Sequence, residues 1–168
     1  MKKYIIYTTI IFAVLSLSSC QQTTGRYIIN DPFPEAQMEI TKTLDDIYKS
    51  AQNKEFDLLR SFHLYGPKFT EFKNGEPRAN SEQNKRSEEE LFTSLSDFEY
   101  DLRDLKVSVY GDVAIATFHG HFEANMGEQH LSFQLQSTLA FVKTENSWKI
   151  VHEHFSPLNL TELNQNNN

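Results

Sequence analysis

A chain of 168 residues with 23 acidic side chains against 16 basic ones carries a net charge of -7. That balance opposes binding to nucleic acid or anionic lipid, because no basic surface is left to neutralise phosphates. One cysteine, Cys20, excludes an intramolecular disulfide, and the length suits one domain with a real core.

The first twenty residues, MKKYIIYTTIIFAVLSLSSC, open on Lys2 and Lys3, run through an uncharged, mostly apolar stretch from Tyr4 to Leu17 and close on small side chains. The apolar run is shorter than the roughly 20 residues a membrane-crossing helix needs, so residues 1–20 are expected to be a cleaved secretory signal. Within it, LSSC at Leu17 to Cys20 resembles the lipobox of bacterial lipoproteins, in which the cysteine is acylated and becomes the new N-terminus. Cys20 is therefore the expected lipidation site, each buried methylene adding about 0.8 kcal/mol of anchoring. Gln21, where Asp could stand, resembles the pattern sent to the outer membrane in double-membraned bacteria. The implied location is the cell envelope, with the protein lipid-anchored. Losing Lys2 and Lys3 takes the net charge to -9, so anchoring has to come from lipid.

Residues 21–34 are polar and then turn-rich, with Pro32 and Pro34, and read as a tether. The domain is expected over residues 35–160. Ile40, Leu44, Ile47 and Ala51 recur at helical spacing and predict a half-buried first helix, with Pro34 suited to its first turn. In EFDLLRSFH, Phe56, Leu59 and Phe62 share a face of a short second helix. Gly66 and Pro67 break the chain, and Phe69 to Phe72 resume as an extended segment. KNGEPRANSEQNKRS reads as a loop by composition. SEEELFTSL predicts a third helix, with Ser87 as N-cap, Glu90 as its capping-box partner, and the acidic run Glu88 to Glu90 favoured by the macrodipole.

Four extended stretches follow, FEYDLRDLKVSVYG, DVAIATFHGHFEANM, EQHLSFQLQSTLAFVK and SWKIVHEHFS, joined by links short enough for antiparallel hairpins, with Gly111 and Gly127 at the turns. Three helices followed by a four-stranded meander make an α+β fold with helices covering one sheet face. Residues 161–168, ending in NQNNN, read as a disordered tail. A turn centred between Met126 and Gly127 pairs Phe118 with Leu135 and His119 with Gln134. A loop over residues 143–147 pairs Val142 with Trp148 and Ser137 with Glu153. Alternation then puts Ala114, Ala116, Phe118, Phe122, Leu131, Phe133, Leu135, Leu139, Phe141, Val151 and Phe155 on the core face, with Glu153 pointing in among them. The other face carries Thr117, His119, His121, Ser132, Gln134, Gln136, Thr138, Trp148, Ile150, His152 and His154.

Helix-first order, GPKFTEF, GDVAIATF and the closing SWKIVHEHFSP resemble the SnoaL-like branch of the NTF2-like superfamily, including relatives of the calmodulin-dependent kinase association domain. The resemblance spans roughly Glu35 to Leu158. It implies a cone in which N-terminal helices pack on a curved antiparallel sheet, a pocket at the open end, and a homodimer formed through the outer sheet face. Its pocket positions fall on Phe118, Leu139, Glu153 and Phe155. The arginines of the kinase association domain are replaced by Phe118 and Leu139, which argues against an anionic ligand, and the tyrosine and aspartate set of a ketosteroid isomerase is absent.

Together these readings make Tyr48, Tyr65, Phe118, Ser137, Leu139, Glu153 and Phe155 the candidate ligand-binding residues, for a small, largely apolar molecule. Glu153, a carboxylate facing aromatics, is the candidate catalytic residue, a general acid or base for isomerase-, cyclase- or hydrolase-like chemistry. The alternative is a structural glutamate paired with Arg60 or with the Tyr48 or Tyr65 hydroxyl. A third possibility is a dimerisation module without catalysis. His63, Tyr65, Phe69 and Phe72 are placed near the mouth, where polar tips on aromatic bodies suit small-molecule contacts. The two H-x-H pairs, His119 with His121 and His152 with His154, raise a metal reading. One strand separates them by about 9 to 10 Å, with no carboxylate expected on that face, so no metal is assigned there. Instead His119, Gln134, Gln136, His152 and His154 are the candidate dimer interface. No cofactor motif and no nucleophile elbow is present.

Overall fold

The computed structural model describes residues 28–158. The expected signal, Cys20, the first part of the tether and the C-terminal tail lie outside them. Helix α1 (Pro34–Gln52) starts on its proline and buries Ile40, Leu44, Ile47, Tyr48 and Ala51 along one stripe. Helix α2 (Phe56–Ser61) buries Leu59. Strand β1 (Thr70–Lys73), helix α3 (Ser81–Ser94) and strands β2 (Ser96–Tyr110), β3 (Val113–Met126), β4 (Gln129–Lys143) and β5 (Trp148–Pro157) complete the chain.

The sheet order is β1-β5-β4-β3-β2, and β1 runs parallel to β5 while the other neighbours are antiparallel. The sheet is thus five-stranded and mixed, where four antiparallel strands were expected. The short stretch after Pro67 earns its place as an edge strand through pairing with β5, a tertiary partner that local composition does not reveal. Strand β2 carries register shifts around Asp97 and Asp104, both at positive φ. Such bulges bend a strand and add twist, which curves the sheet around the helices.

Helix α3 begins seven residues before the expected one, with its cap at Asn80 in place of Ser87. Asn80 accepts from the Glu82 and Gln83 backbone amides while the Gln83 side chain accepts from the Asn80 amide. This is the capping-box logic expected at Ser87, with Asn and Gln in the two roles. Ser87 lies mid-helix and returns its hydroxyl to the Asn84 carbonyl. The Glu88–Glu90 run is in the second half of the helix, so the macrodipole does not explain it.

The hairpin turns correct two registers. Met126 pairs with Gln129 across Gly127 and Glu128, with Gly127 at φ 62°. Phe118 therefore faces Ser137 and His119 faces Gln136, a slide of two residues that leaves every side chain on its expected face. Between β4 and β5, Lys143 pairs with Trp148 and Phe141 with Ile150, but Ala140 pairs with His152. Val151 is the extra residue, and one extra residue exchanges the faces of everything before it. Trp148 and Ile150, expected outside, are core residues at 3% and 0% exposure. Beyond the bulge, Glu153 points inward and leaves 3% exposed, while His154 is exposed on the opposite face.

Candidate functional site

Several elements converge on the inner side of β5 past the bulge. The chain leaving α2 is pinned to β5 just before the bulge by backbone hydrogen bonds, Leu64 donating to the Ile150 carbonyl at 2.8 Å and Ile150 to the Phe62 carbonyl at 2.9 Å. That pinning buries His63 beside Glu153. Helix α3 contributes Asn84, Glu88 and Phe92 at four-residue spacing, hence on one face. Strand β1 alternates Glu71 and Lys73 inward against Thr70 and Phe72 outward.

Glu153 has both oxygens occupied. Oε2 accepts from Nδ2 of Asn84 at 2.9 Å, and Oε1 lies 3.1 Å from Nε2 of His63. Asn84 is oriented by Tyr65, whose hydroxyl donates to Oδ1 at 2.5 Å. On the far side of the imidazole, Nδ1 lies 3.2 Å from the Leu59 carbonyl. A carbonyl can only accept, so Nδ1 carries a proton and Nε2 is the atom turned to Glu153. Burial of the ring disfavours the imidazolium, but the Glu153 carboxylate and its hydrogen bond, helped by Glu88, outweigh burial and raise the His63 pKa to about 9. Neither Arg60 nor a tyrosine hydroxyl pairs with Glu153: Arg60 bridges Asp57 and Glu89 outside.

Glu88 is the less satisfied acid. Its Oε1 stands 3.9 Å from Nε2 of His63, and its Oε2 is buried with no hydrogen-bond partner. Burial, reinforced by repulsion from Glu153, pushes the carboxyl up to about 8. Glu71, itself buried, pairs with Lys73 at 3.4 Å.

These groups form one wall of a cavity of about 110 Å³. Glu71, Lys73, Glu88 and Glu153 supply the polar wall. The rest is apolar: Ile47, Tyr48, Ala51 and Leu59 from the helices, Leu91, Phe92 and Leu95 from α3 and its end, and Phe98, Phe122, Phe133, Leu135, Leu139 and Phe155 from the sheet. Phe122 folds back over Gly120, where a Cβ would come within 2.3 Å of the ring, so the glycine sets the shape of this wall.

Of the candidate ligand-binding residues, Tyr48, Leu139, Glu153 and Phe155 line the cavity. Phe118 packs edge-on against Tyr48 in the core, and Ser137 is buried with an unpartnered hydroxyl but away from the cavity wall. Tyr65 stands behind the wall, stacked on His63 with ring centroids 4.9 Å apart. Phe69 is likewise interior, packed against both rings, whereas Phe72 lies on the outer face against His152 and His154. His63, Asn84, Glu88, Glu71 and Lys73 were not singled out in the sequence as a set. The signal that could have found Asn84 and Glu88 is their four-residue spacing behind the Asn80 cap.

On the outer sheet face, His119, Gln134 and His152 are half-buried and Gln136 and His154 exposed. His152 holds Thr70 through Nδ1 at 2.8 Å. That face does contain a carboxylate: Glu123 lies 3.7 Å from His121, which corrects the expectation of none. Exposed Phe72, Val113 and Ile115 share the face. Among the described residues no helix is long and apolar enough to cross a membrane.

The SnoaL-like domain family matches residues 40–159. No curated protein matches the sequence. Among solved structures, a provisionally assigned dehydratase of the NTF2-like family from Streptomyces avermitilis is 20% identical, with a TM-score of 0.69 over 77% of this chain and 99% of that one. An NTF2-like superfamily protein from Salmonella enterica is 20% identical, TM-score 0.67, over 75% of this chain and 93% of that one. The CaMKII hub homology domain of Chlamydomonas reinhardtii is 15% identical, TM-score 0.59, over 74% and 99%. At such identities the likeness is one of fold, and the fold is the NTF2-like one.

Proposed function

Starting from the fact that this chain belongs to the SnoaL-like domain family, we propose that it binds a small, largely apolar molecule in its cone. The observation that carries the reading is the cavity itself: apolar and aromatic on most sides, with Glu88 presenting a buried, unpartnered oxygen in its one polar wall. An apolar pocket with a few placed polar groups binds by burial and orients by hydrogen bonding. Size limits the occupant. A dry apolar cavity of about 150 Å³ takes benzene, so about 110 Å³ suits a molecule of at most one ring, bearing one hydroxyl or carbonyl to meet Glu88.

Acid–base chemistry on that molecule is the second reading, and the geometry shifts its centre. Both Glu153 oxygens are spoken for by Asn84 and His63, which makes Glu153 a positioning group. Glu88 is the carboxyl with an oxygen to spare.

The proposal also places the protein in the bacterial cell envelope, lipid-anchored through Cys20, on the strength of LSSC behind an apolar run. Self-association is supported by the fold likeness to a kinase hub domain. The outer face with His119, Gln134, Gln136, His152 and His154 is the proposed homodimer surface. Native mass spectrometry of the chain isolated from its own host tests these points together. The expected species is a dimer carrying diacylglyceryl mass on Cys20 and one small molecule per chain. An unmodified monomer with an empty cone would contradict the reading.

A further inference from the structure

We infer that His63, Glu88 and Glu153 bind one divalent transition-metal ion in the polar wall of the cavity. One ligand atom from each residue lies within 4.8 Å of the other two. Nε2 of His63 and Oε1 of Glu153 are 3.1 Å apart, inside the roughly 3.0 to 3.4 Å that separates neighbouring ligands around zinc at about 2.1 Å. Oε1 of Glu88, 3.9 Å from the same nitrogen, has to move inward to close the triangle, whose sides are all within 4.8 Å.

Three further features fit an ion. The Leu59 carbonyl accepts from Nδ1–H of His63 and the Asn84 amide donates to Oε2 of Glu153, leaving Nε2 and Oε1, which otherwise meet each other, as the ligand atoms. Metal-binding imidazoles and carboxylates are held by such outer contacts. Oε2 of Glu88 is buried and unpartnered, a cost that a second bond to the metal removes. Charge permits the same reading. An entering ion displaces the protons held by His63 and Glu88, and the carboxylates of Glu71, Glu88 and Glu153 then face Lys73 alone, two negative charges that the single divalent cation offsets. One imidazole with two carboxylates suits zinc, manganese or ferrous iron better than all-oxygen calcium or thiol-loving copper(I). An ion there would stand in the cavity wall, where Glu88 and Glu153 already are.

The experiment uses the full chain, untagged and stripped with chelator, titrated with Zn²⁺ by calorimetry and with Co²⁺ by absorption. Both probes are metal alone, so the outcome does not depend on whether an organic molecule occupies the cone. One ion per chain is expected at micromolar Kd or tighter, with a raised Tm and Co²⁺ bands of mixed nitrogen and oxygen ligation. Glu88→Gln, Glu153→Gln and His63→Gln should each weaken binding by at least about tenfold, while His121→Ala and His154→Ala leave it unchanged. If the two deeply buried substitutions prevent folding, Glu88→Gln decides alone, since its side chain keeps 18% exposure and its shape. Full affinity in Glu88→Gln, loss of binding with the outer histidines, or no saturable binding below about 1 mM overturns the inference.

Discussion

The two halves of β5 do opposite work. Before Val151, Trp148 and Ile150 close the apolar end of the cone, with Ile40, Leu44 and Phe141 fully buried in the same core. The one polar atom of that pair, Nε1 of Trp148, donates to Glu39 at 2.9 Å at the surface. After Val151 the same strand sends in Glu153, and the interior there is built from charges that hold one another: His63, Glu71, Lys73 and Glu88. The first half gains stability chiefly from burial. The second spends part of that gain on desolvated groups whose arrangement matters only if something meets them, and it is the half beside the cavity.

The largest effect should come from the closed half. Ile150→Ala leaves a void with no room to collapse and should cost about 2–5 kcal/mol in urea unfolding, without altering the polar wall. A cost below 1 kcal/mol would place Ile150 outside the core and remove the bulge from the account.

At the polar half, Asn84→Ala strips a donor from Glu153 and an acceptor from the Tyr65 hydroxyl, both held inside. The expected loss is about 1–3 kcal/mol, and Asn84→Asp should not restore it, because a second carboxylate beside Glu153 repels. Full stability in Asn84→Asp would contradict the hydrogen-bond assignment.

The pH dependence separates the halves further. A carboxyl held high prefers its proton in the fold, so the Glu88 contribution falls as pH rises from its ordinary 4.5 through about 8. A raised imidazole contributes fully below its ordinary 6.5 and loses that contribution as pH rises through about 9. Both slopes have one sign, so Tm should decline steadily from pH 5 to pH 9, and Glu88→Gln should flatten the part below pH 8. A Tm that climbs over this range would refute the charge arrangement. Smallest of all, Ser137→Ala removes a buried hydroxyl that has no partner, so unfolding should show a change within about 1 kcal/mol, neutral or stabilising.

Much of this architecture was legible in residue alternation. Phe118, Phe122, Leu139 and Phe141 show their inward face, and a two-residue slide of the β3–β4 register leaves that face intact, because the strand period is two. The inward direction of Glu153 was readable for the same reason. What alternation could not reveal was the bulge. Val151 is an ordinary β-branched residue in an ordinary strand, and only pairing with β4 exposes it as the extra one, so Trp148 and Ile150 read as outward. The partners of Glu153 were hidden by sequence distance, His63 lying 90 positions away and Asn84 69. Asn84 was further masked by a polar stretch that composition assigns to a loop. Its helix is held by a cap and by one face of mixed polarity, so no hydrophobic periodicity announces it.

The claim at the centre of this account is that the open half of the cone receives a small apolar molecule against the polar wall. NMR of the isotope-labelled chain with phenol as probe measures it directly. Saturable binding is predicted, with intermolecular Overhauser contacts from the phenol ring to Phe92, Phe98, Phe122 and Phe133, and a shift of the Glu88 carboxyl carbon. Contacts confined to Phe72, Val113 and Ile115 on the outer face, or no saturable binding at all, would contradict it.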